Sequence, residues 1–101
     1  MISSNVSSIQ AHQTFMNNNA NNIANVNTDG FRPNDTRLTN SSDDTVTADT
    51  RLADDNGSEK SQTNLAKELP DQISITAAVS ANVNAIRTQD AMYGSLLDIK
   101  V

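Results

Sequence analysis

Residues 2–27 read ISSNVSSIQAHQTFMNNNANNIANVN, and apolar side chains recur in this stretch every seven residues. One row holds Ile2, Ile9, Met16 and Ile23. The interleaved row holds Val6, Gln13, Ala20 and Asn27. Two such rows form the seam of a coiled coil. The spacing therefore predicts a helix over roughly Ser4–Val26, with Ser3 or Ser4 as its N-cap.

Turn signals follow this first helix and separate it from a second one. The stretch Asn27-Thr28-Asp29-Gly30 is expected to end the helix, because glycine adopts positive φ readily. A second helix is predicted to begin at Leu69-Pro70-Asp71, since proline is tolerated in a first helical turn. Its seam follows three- and four-residue steps through Leu69, Thr76, Val79, Val83, Ile86, Tyr93 and Leu97.

The middle of the chain is polar and acidic. Residues 30–72 hold nine of the twelve Asp and Glu residues, and large aliphatic side chains are rare there. This composition favours a loop over a short strand or hairpin arm around Thr45-Val46-Thr47-Ala48. We therefore expect a mainly α fold divided into residues 1–31, 32–68 and 69–101. The terminal helices pair as an antiparallel or coiled-coil-like hairpin, and the polar middle loop leaves room for a short β-hairpin.

The two ends carry almost no charge, which is unusual for exposed helices. Residues 2–28 contain no Asp, Glu, Lys or Arg, and residues 72–97 contain only Arg87 and Asp90. A surface helix normally carries charged side chains on its outer face. A lone helical hairpin of this size also gains little stability from its own core. These features predict that several copies bury their terminal helices against one another.

Composition argues against most other classes of protein. The net charge of −5 disfavours nucleic-acid binding, and the absence of Cys removes thiol chemistry. No apolar run is long enough to span a membrane, and the N-terminal residues do not resemble a cleaved signal peptide. His12 has no metal-binding partners in the pattern, and the acid pairs Asp43-Asp44 and Asp54-Asp55 do not fit an EF-hand loop. We expect no enzyme activity, no cofactor and no metal.

Two motifs resemble the flagellar rod and hook proteins of bacteria. Residues 18–31, NNANNIANVNTDGF, are similar to the N-terminal signature of that family. Residues 81–99, ANVNAIRTQDAMYGSLLDI, are similar to its closing helix. The chain differs from the family by lacking the large middle β-domains of the hook and distal rod proteins. It resembles a short, proximal-rod-like member.

This resemblance implies a structural subunit of the basal-body rod, located in the periplasm-spanning axis of the flagellum. It implies partners among copies of this chain and other rod and hook proteins, and delivery by the flagellar type III export apparatus without a cleaved signal. The expected assembly interface comprises Ile2, Val6, Ile9, Met16, Asn21, Asn22, Ile23, Asn25, Asn27, Gly30, Phe31, Val79, Asn82, Val83, Ile86, Met92, Tyr93, Leu96 and Leu97. The alternatives are a small helical adaptor or chaperone-like protein that binds another partner through the same seam, and a calcium-dependent module built on the acidic loop.

Overall fold

The computed structural model describes residues 2–41 and 45–100, and it has four elements. Helix α1 spans Ile2–Ala24 and helix α2 spans Leu65–Lys100. Between them, strands β1 (Asn34–Ser41) and β2 (Thr45–Leu52) form an antiparallel hairpin. The terminal helices pair with each other, so the predicted mainly α fold is confirmed.

Helix α2 begins four residues before the predicted start at Leu69. The side-chain Oδ1 of Asn64 accepts a hydrogen bond from the backbone N–H of Ala66, at 3.0 Å, and caps the helix. Pro70 consequently lies inside the second turn rather than at the helix start. Sequence reasoning overlooked the Asn64 cap because the proline gave the more obvious signal.

Helix α1 is the central element of the molecule, because it packs against α2 on one side and against the hairpin on another. The two helices run antiparallel: Asn19 bonds to Glu68 near one end of the pair, and Ser8 bonds to Asn82 further along. Within the described residues, α2 and the hairpin make no packed backbone contact. Lys67 and Asp35 join them through an ion pair of 3.9 Å.

The middle of the chain folds into a regular hairpin instead of the loop that its composition favoured. The strands pair without a bulge from Asn34 opposite Leu52 to Ser41 opposite Thr45. Even-numbered side chains such as Leu38 and Val46 are half-buried on the side of α1. Helix α1 therefore supplies the apolar surface that a two-stranded sheet needs for stability, and this partner is distant in the sequence.

Candidate assembly interface

A buried carboxylate joins the two helices. Glu68 of α2 is only 2% exposed, and its side chain points at two buried amides of α1. Asn19 Nδ2 donates to Glu68 Oε2 at 2.7 Å and to the Glu68 carbonyl oxygen at 2.8 Å. Asn22 Nδ2 donates to Glu68 Oε1 at 3.2 Å. Buried carboxylates are costly unless they are hydrogen-bonded, and these amides supply the necessary donors.

Asn22 extends this cluster to the hairpin. Its Nδ2 also donates to the carbonyl oxygen of Asn34 at 2.9 Å, while its Oδ1 accepts from the Asn34 backbone N–H at 2.9 Å. One side chain thus contacts α2 and β1 simultaneously from its position on α1. The Asn19–Asn22–Glu68 cluster fixes the relative position of three elements.

Lys67 lies at the edge of this cluster. Its ammonium Nζ is 3.0 Å from Asp71 Oδ2, 3.8 Å from Glu68 Oε1 and 3.9 Å from Asp35 Oδ1. Partial burial lowers the pKa of Lys67, but the hydrogen bond to Asp71 and the three carboxylate charges together outweigh it. The net result raises the pKa of Lys67 above its ordinary value.

The seam of α2 differs from the one predicted. The side chains facing α1 are the buried or half-buried residues Glu68, Gln72, Ile75, Val79, Asn82, Ile86 and Gln89. The predicted residues Leu69, Thr76 and Val83 are exposed. The predicted row followed apolar side chains and shares Val79 and Ile86 with the observed row, which places Glu68, Asn82 and Gln89 at the seven-residue positions.

The polar members of the seam have partners on α1. Asn82 Nδ2 donates to Ser8 Oγ at 3.0 Å and Asn19 bonds to Glu68, with the fully buried Ile75 between these two polar contacts. Ala11 of α1, 5% exposed, is the other buried apolar residue of the described helices, and Pro33, just before β1, is also buried. Because so few apolar groups are buried, polar contacts hold much of the register of the helical pair.

The seam of α2 continues past the end of α1. Ser8 meets Asn82, so the six residues before Ser8 carry α1 only about 9 Å further along α2. Tyr93 and Leu96 continue the same heptad face and Leu97 lies beside them, yet these three side chains are 61%, 59% and 66% exposed. An apolar cavity of about 260 Å³ lies here, lined by Gln89, Met92, Tyr93 and Leu96. We call the end of α2, residues 90–100, the overhang.

The residues expected at the interface fall into three groups. Ile9, Met16, Ile23, Val79, Asn82 and Ile86 are half-buried, and Asn22 is fully buried. Val6, Val83, Met92, Tyr93, Leu96 and Leu97 are exposed. The side chain of Ile2 lies outside the described part of the structure. Sequence reasoning missed Asn19 and Glu68, since polar residues in a seam give no apolar signal, and it missed Ile75 because the predicted row passed through the neighbouring Thr76.

The remaining expected residues organise the turn after α1. Asn25 Nδ2 donates to the Asn21 carbonyl oxygen at 2.8 Å. Gly30 has φ of 77°, and its N–H donates to the Glu59 carbonyl oxygen at 2.8 Å. The carbonyl oxygen of Phe31 accepts from the Gln62 N–H at 3.0 Å, while Asn27 is exposed. These contacts hold the chain where it leaves α1.

The side chains considered for other chemistry have structural contacts. His12 Nδ1 lies 2.7 Å from the Ser8 carbonyl oxygen. Asp55 accepts hydrogen bonds from the Gln62 side chain and the Gly57 N–H, which lower its pKa. The pair Asp43-Asp44 lies outside the described residues. In the described ranges, no three His, Asp or Glu side chains could together hold a metal ion. Neither helix, over its described length, is suited to cross a membrane.

The fold defines the class of the protein. It is a small protein built on a long antiparallel pair of helices, and the C-terminal helix extends beyond the end of the N-terminal one. Residues 57–99, somewhat less than half of the chain, match the family described as flagellar basal body rod FlgEFG protein C-terminal. The C-terminal region is thus similar to that of flagellar rod and hook proteins, which confirms the resemblance seen in the sequence. No curated protein matches the chain. The matched family is structural.

Proposed function

We propose that this protein is a structural subunit of the flagellar basal-body rod and assembles with its neighbours through its terminal helices. The overhang of α2 carries this proposal. Its apolar side chains continue the seam that α1 covers elsewhere, so a helix from a neighbouring copy or another rod protein can extend the same packing.

Burial of the overhang supplies a driving force for assembly. Covering side chains as large as Tyr93, Leu96 and Leu97 contributes roughly 1.5–3 kcal/mol for each one that becomes fully buried. Charge does not oppose this contact strongly, because Asp90 and Asp98 are the only carboxylates between residues 90 and 98. The half-buried Gln89, whose Oε1 has no hydrogen-bond partner within the described residues, lies at the point where the covered seam ends.

The proposed location follows from the matched family, whose description places its members in the basal body rod. Copies of this chain and other rod or hook proteins are the proposed partners, and the flagellar type III apparatus is the proposed export route. A tagged copy should be recovered in purified basal bodies. Recovery only from other fractions would contradict this location.

Sedimentation at increasing protein concentration tests the assembly. The wild-type chain should form open-ended polymers, and Leu96→Asp should remain small because assembly would bury an unpaired carboxylate. Ser95→Asp is the matched control, since it adds the same charge one residue away on another face of α2. Equal polymer growth by all three proteins would contradict a role for the overhang.

The same measurement separates the alternative, a small adaptor or chaperone-like protein. Such a protein would stop at a fixed monomer or dimer at every concentration, whereas a rod subunit continues to grow. A fixed species that nevertheless binds a different flagellar protein through Leu96 would favour the adaptor.

A further inference from the structure

We propose that the β-hairpins of neighbouring copies join edge to edge, with β2 of one copy pairing with β1 of the next in a continuous antiparallel sheet. This inference rests on the proposed self-assembly and adds a second contact to it, separate from the helical overhang. The occupant of each open strand edge is therefore another copy of this chain.

The backbone hydrogen bonds show which groups point out of the hairpin. The Ala53 N–H donates to the Pro33 carbonyl oxygen at 2.9 Å, so odd-numbered residues exchange bonds between the two strands. The N–H and C=O of even-numbered residues consequently point to the outer edges. Asn34 and Val46 confirm this alternation, because their N–H groups bond to α1 side chains rather than to the opposite strand.

In the described residues, side chains of α1 bond to the outward-pointing backbone groups of each strand at one position, near the beginning of that strand. Asn22 occupies the N–H and C=O of Asn34 at the beginning of β1, and Ser7 Oγ accepts from the Val46 N–H at the beginning of β2. The backbone groups of Thr36 and Leu38 on β1, and of Ala48 and Thr50 on β2, have no hydrogen-bond partner in the described chain.

These open groups match each other. In the register of the hairpin itself, Thr36 lies opposite Thr50 and Leu38 lies opposite Ala48. If β1 of the next copy pairs with β2 in this same register, Thr36 and Leu38 of the next copy lie opposite Thr50 and Ala48. Four backbone hydrogen bonds can then form. Such pairing of unprotected edges is a common route of association between sheets.

The charges on the outer face select the same arrangement. Asp35 lies opposite Arg51, and Arg37 lies opposite Asp49. Arg37, Asp49 and Arg51 form no ion pair in the part of the chain that the structure describes, and they line an open cavity of about 540 Å³. When hairpins repeat side by side, Arg51 of one copy gains Asp35 of the next, and Asp49 gains Arg37.

The alternation of charge also disfavours other registers. A shift of two residues keeps the side chains on the same face. A shift in one direction places Asp49 opposite Asp35 of the next copy, and a shift in the other direction places Arg51 opposite Arg37. Like charges directly opposite each other destabilise a strand pair. The pattern therefore specifies the unshifted register.

The spacing of the copies is compatible with helical packing. Two strands at about 4.8 Å each make a lateral repeat of roughly 9.6 Å per copy. Neighbouring helices pack at axial distances of about 8–10 Å. Copies joined through their hairpins thus bring their α1 helices to packing distance. Because β2 of each copy meets β1 of the next, the contact is head-to-tail and builds a ring or an open helical polymer.

Disulfide cross-linking tests this contact, because the natural chain has no cysteine. Thr39→Cys and Thr47→Cys are prepared as separate single variants, whose positions are paired in the register. In the proposed sheet the cysteine introduced at position 47 of one copy lies opposite the cysteine introduced at position 39 of the next, close enough to form a disulfide. Identical residues of adjacent copies are roughly 9.6 Å apart, which is too far. Oxidation of the mixture should give cross-linked dimers, and each variant alone should give almost none.

A charge exchange provides the matched control for register. Arg37→Asp and Asp49→Arg are first introduced together into the Thr47→Cys copy only. The positive charge placed at position 49 then lies beside Arg37 of the other copy, and the repulsion should suppress cross-linking. The same pair in both copies restores opposite charges and should restore it. Equal cross-linking in both cases would overturn the proposed register.

The outcomes separate this inference from the proposed function. Polymer growth without mixed cross-links overturns the edge pairing and leaves helix-driven assembly standing. Mixed cross-links that persist with Leu96→Asp support the edge pairing and show that it does not need the overhang. Efficient cross-linking of Thr39→Cys alone would indicate that β1 pairs with β1, which overturns the head-to-tail contact. The absence of both cross-links and polymers overturns both proposals.

Discussion

Glu68 has an unusual position for a carboxylate, because it is nearly inaccessible to water and its closest donors are neutral amides. Two asparagines from α1 take over the hydrogen bonds that water would make, and Lys67 adds a cation 3.8 Å away. Amide donors are directional, so they fix the register of the helices more narrowly than apolar contacts would.

Glu68→Ala should therefore lower the free energy of unfolding by about 2–4 kcal/mol, because one of the two hydrogen bonds donated by each of the buried Asn19 and Asn22 amides loses its acceptor. Urea denaturation followed by circular dichroism measures the loss. Glu59→Ala is the control, since that side chain is exposed, and it should change stability by less than about 0.5 kcal/mol. Equal effects would contradict the role of the buried cluster.

Ile75 and Ile73 form a natural matched pair, because they are the same residue type at 2% and 73% exposure on one helix. Ile75→Ala should destabilise the fold by about 2–5 kcal/mol through the cavity it leaves. Ile73→Ala should change the unfolding free energy of the monomer by less than about 0.5 kcal/mol. Thermal or chemical denaturation of dilute protein compares them, and a larger loss for Ile73→Ala would show that the helical register is different.

Lys67 makes stability depend on alkaline pH. Its pKa is raised in the folded state, so its contribution is complete below about pH 10.4 and disappears as the pH rises through the raised value. Because the side chain is 46% exposed, the contribution should stay below about 1 kcal/mol. Lys67→Met should be less stable than wild type at pH 8, with the difference narrowing at higher pH. A difference that is constant with pH would contradict this.

Among the elements, the helices were more predictable than the hairpin. Seven-residue spacing in residues 2–27 and three- and four-residue steps in the C-terminal part were enough to place both helices and their pairing. The predicted seam row on α2 includes Val79 and Ile86 of the observed row but omits Glu68, because this side chain faces α1 through hydrogen bonds that hydrophobicity does not report. The hairpin depends on a distant surface of α1, so its local composition suggested a loop.

Asn18 shows how α1 supports the hairpin. Its Nδ2 donates to the side-chain hydroxyls of Thr36 on β1 and Thr50 on β2, at 2.8 Å and 2.9 Å. Asn18→Ala should weaken the hairpin by roughly 1–2 kcal/mol and speed amide hydrogen exchange in both strands. Asn17→Ala is the neighbouring control, because Asn17 is exposed and makes no such contact. Faster exchange in α2 alone would contradict this coupling.

At the scale of the whole molecule, the fold is elongated and thin. It measures 68 × 25 × 14 Å, and in the described chain only Ala11, Pro33 and Ile75 are buried apolar residues. A shape with so little interior has a small stability margin as a separate monomer. Contacts with neighbouring copies are therefore expected to contribute much of the stability of the assembled protein.

Stability should accordingly depend on protein concentration. Association of folded copies raises the apparent melting temperature by mass action, so a tenfold rise in concentration should raise the wild-type Tm measurably. The rise in Tm should be smaller for Leu96→Asp, because the overhang no longer contributes to association. Circular dichroism at 222 nm measures both melts. A wild-type Tm that is independent of concentration would contradict stabilisation by neighbours.

The central position of α1 has a consequence for when the molecule can fold. This helix comes first in the chain, yet Ser8 finds Asn82 across 74 residues and Asn19 finds Glu68 across 49. A polypeptide that emerges with its N-terminus first lacks Glu68 until about two-thirds of the chain has emerged and Asn82 until about four-fifths has. Pairing of α1 with α2 is therefore a late event, and the hairpin that rests on α1 becomes stable before the helical pair is complete.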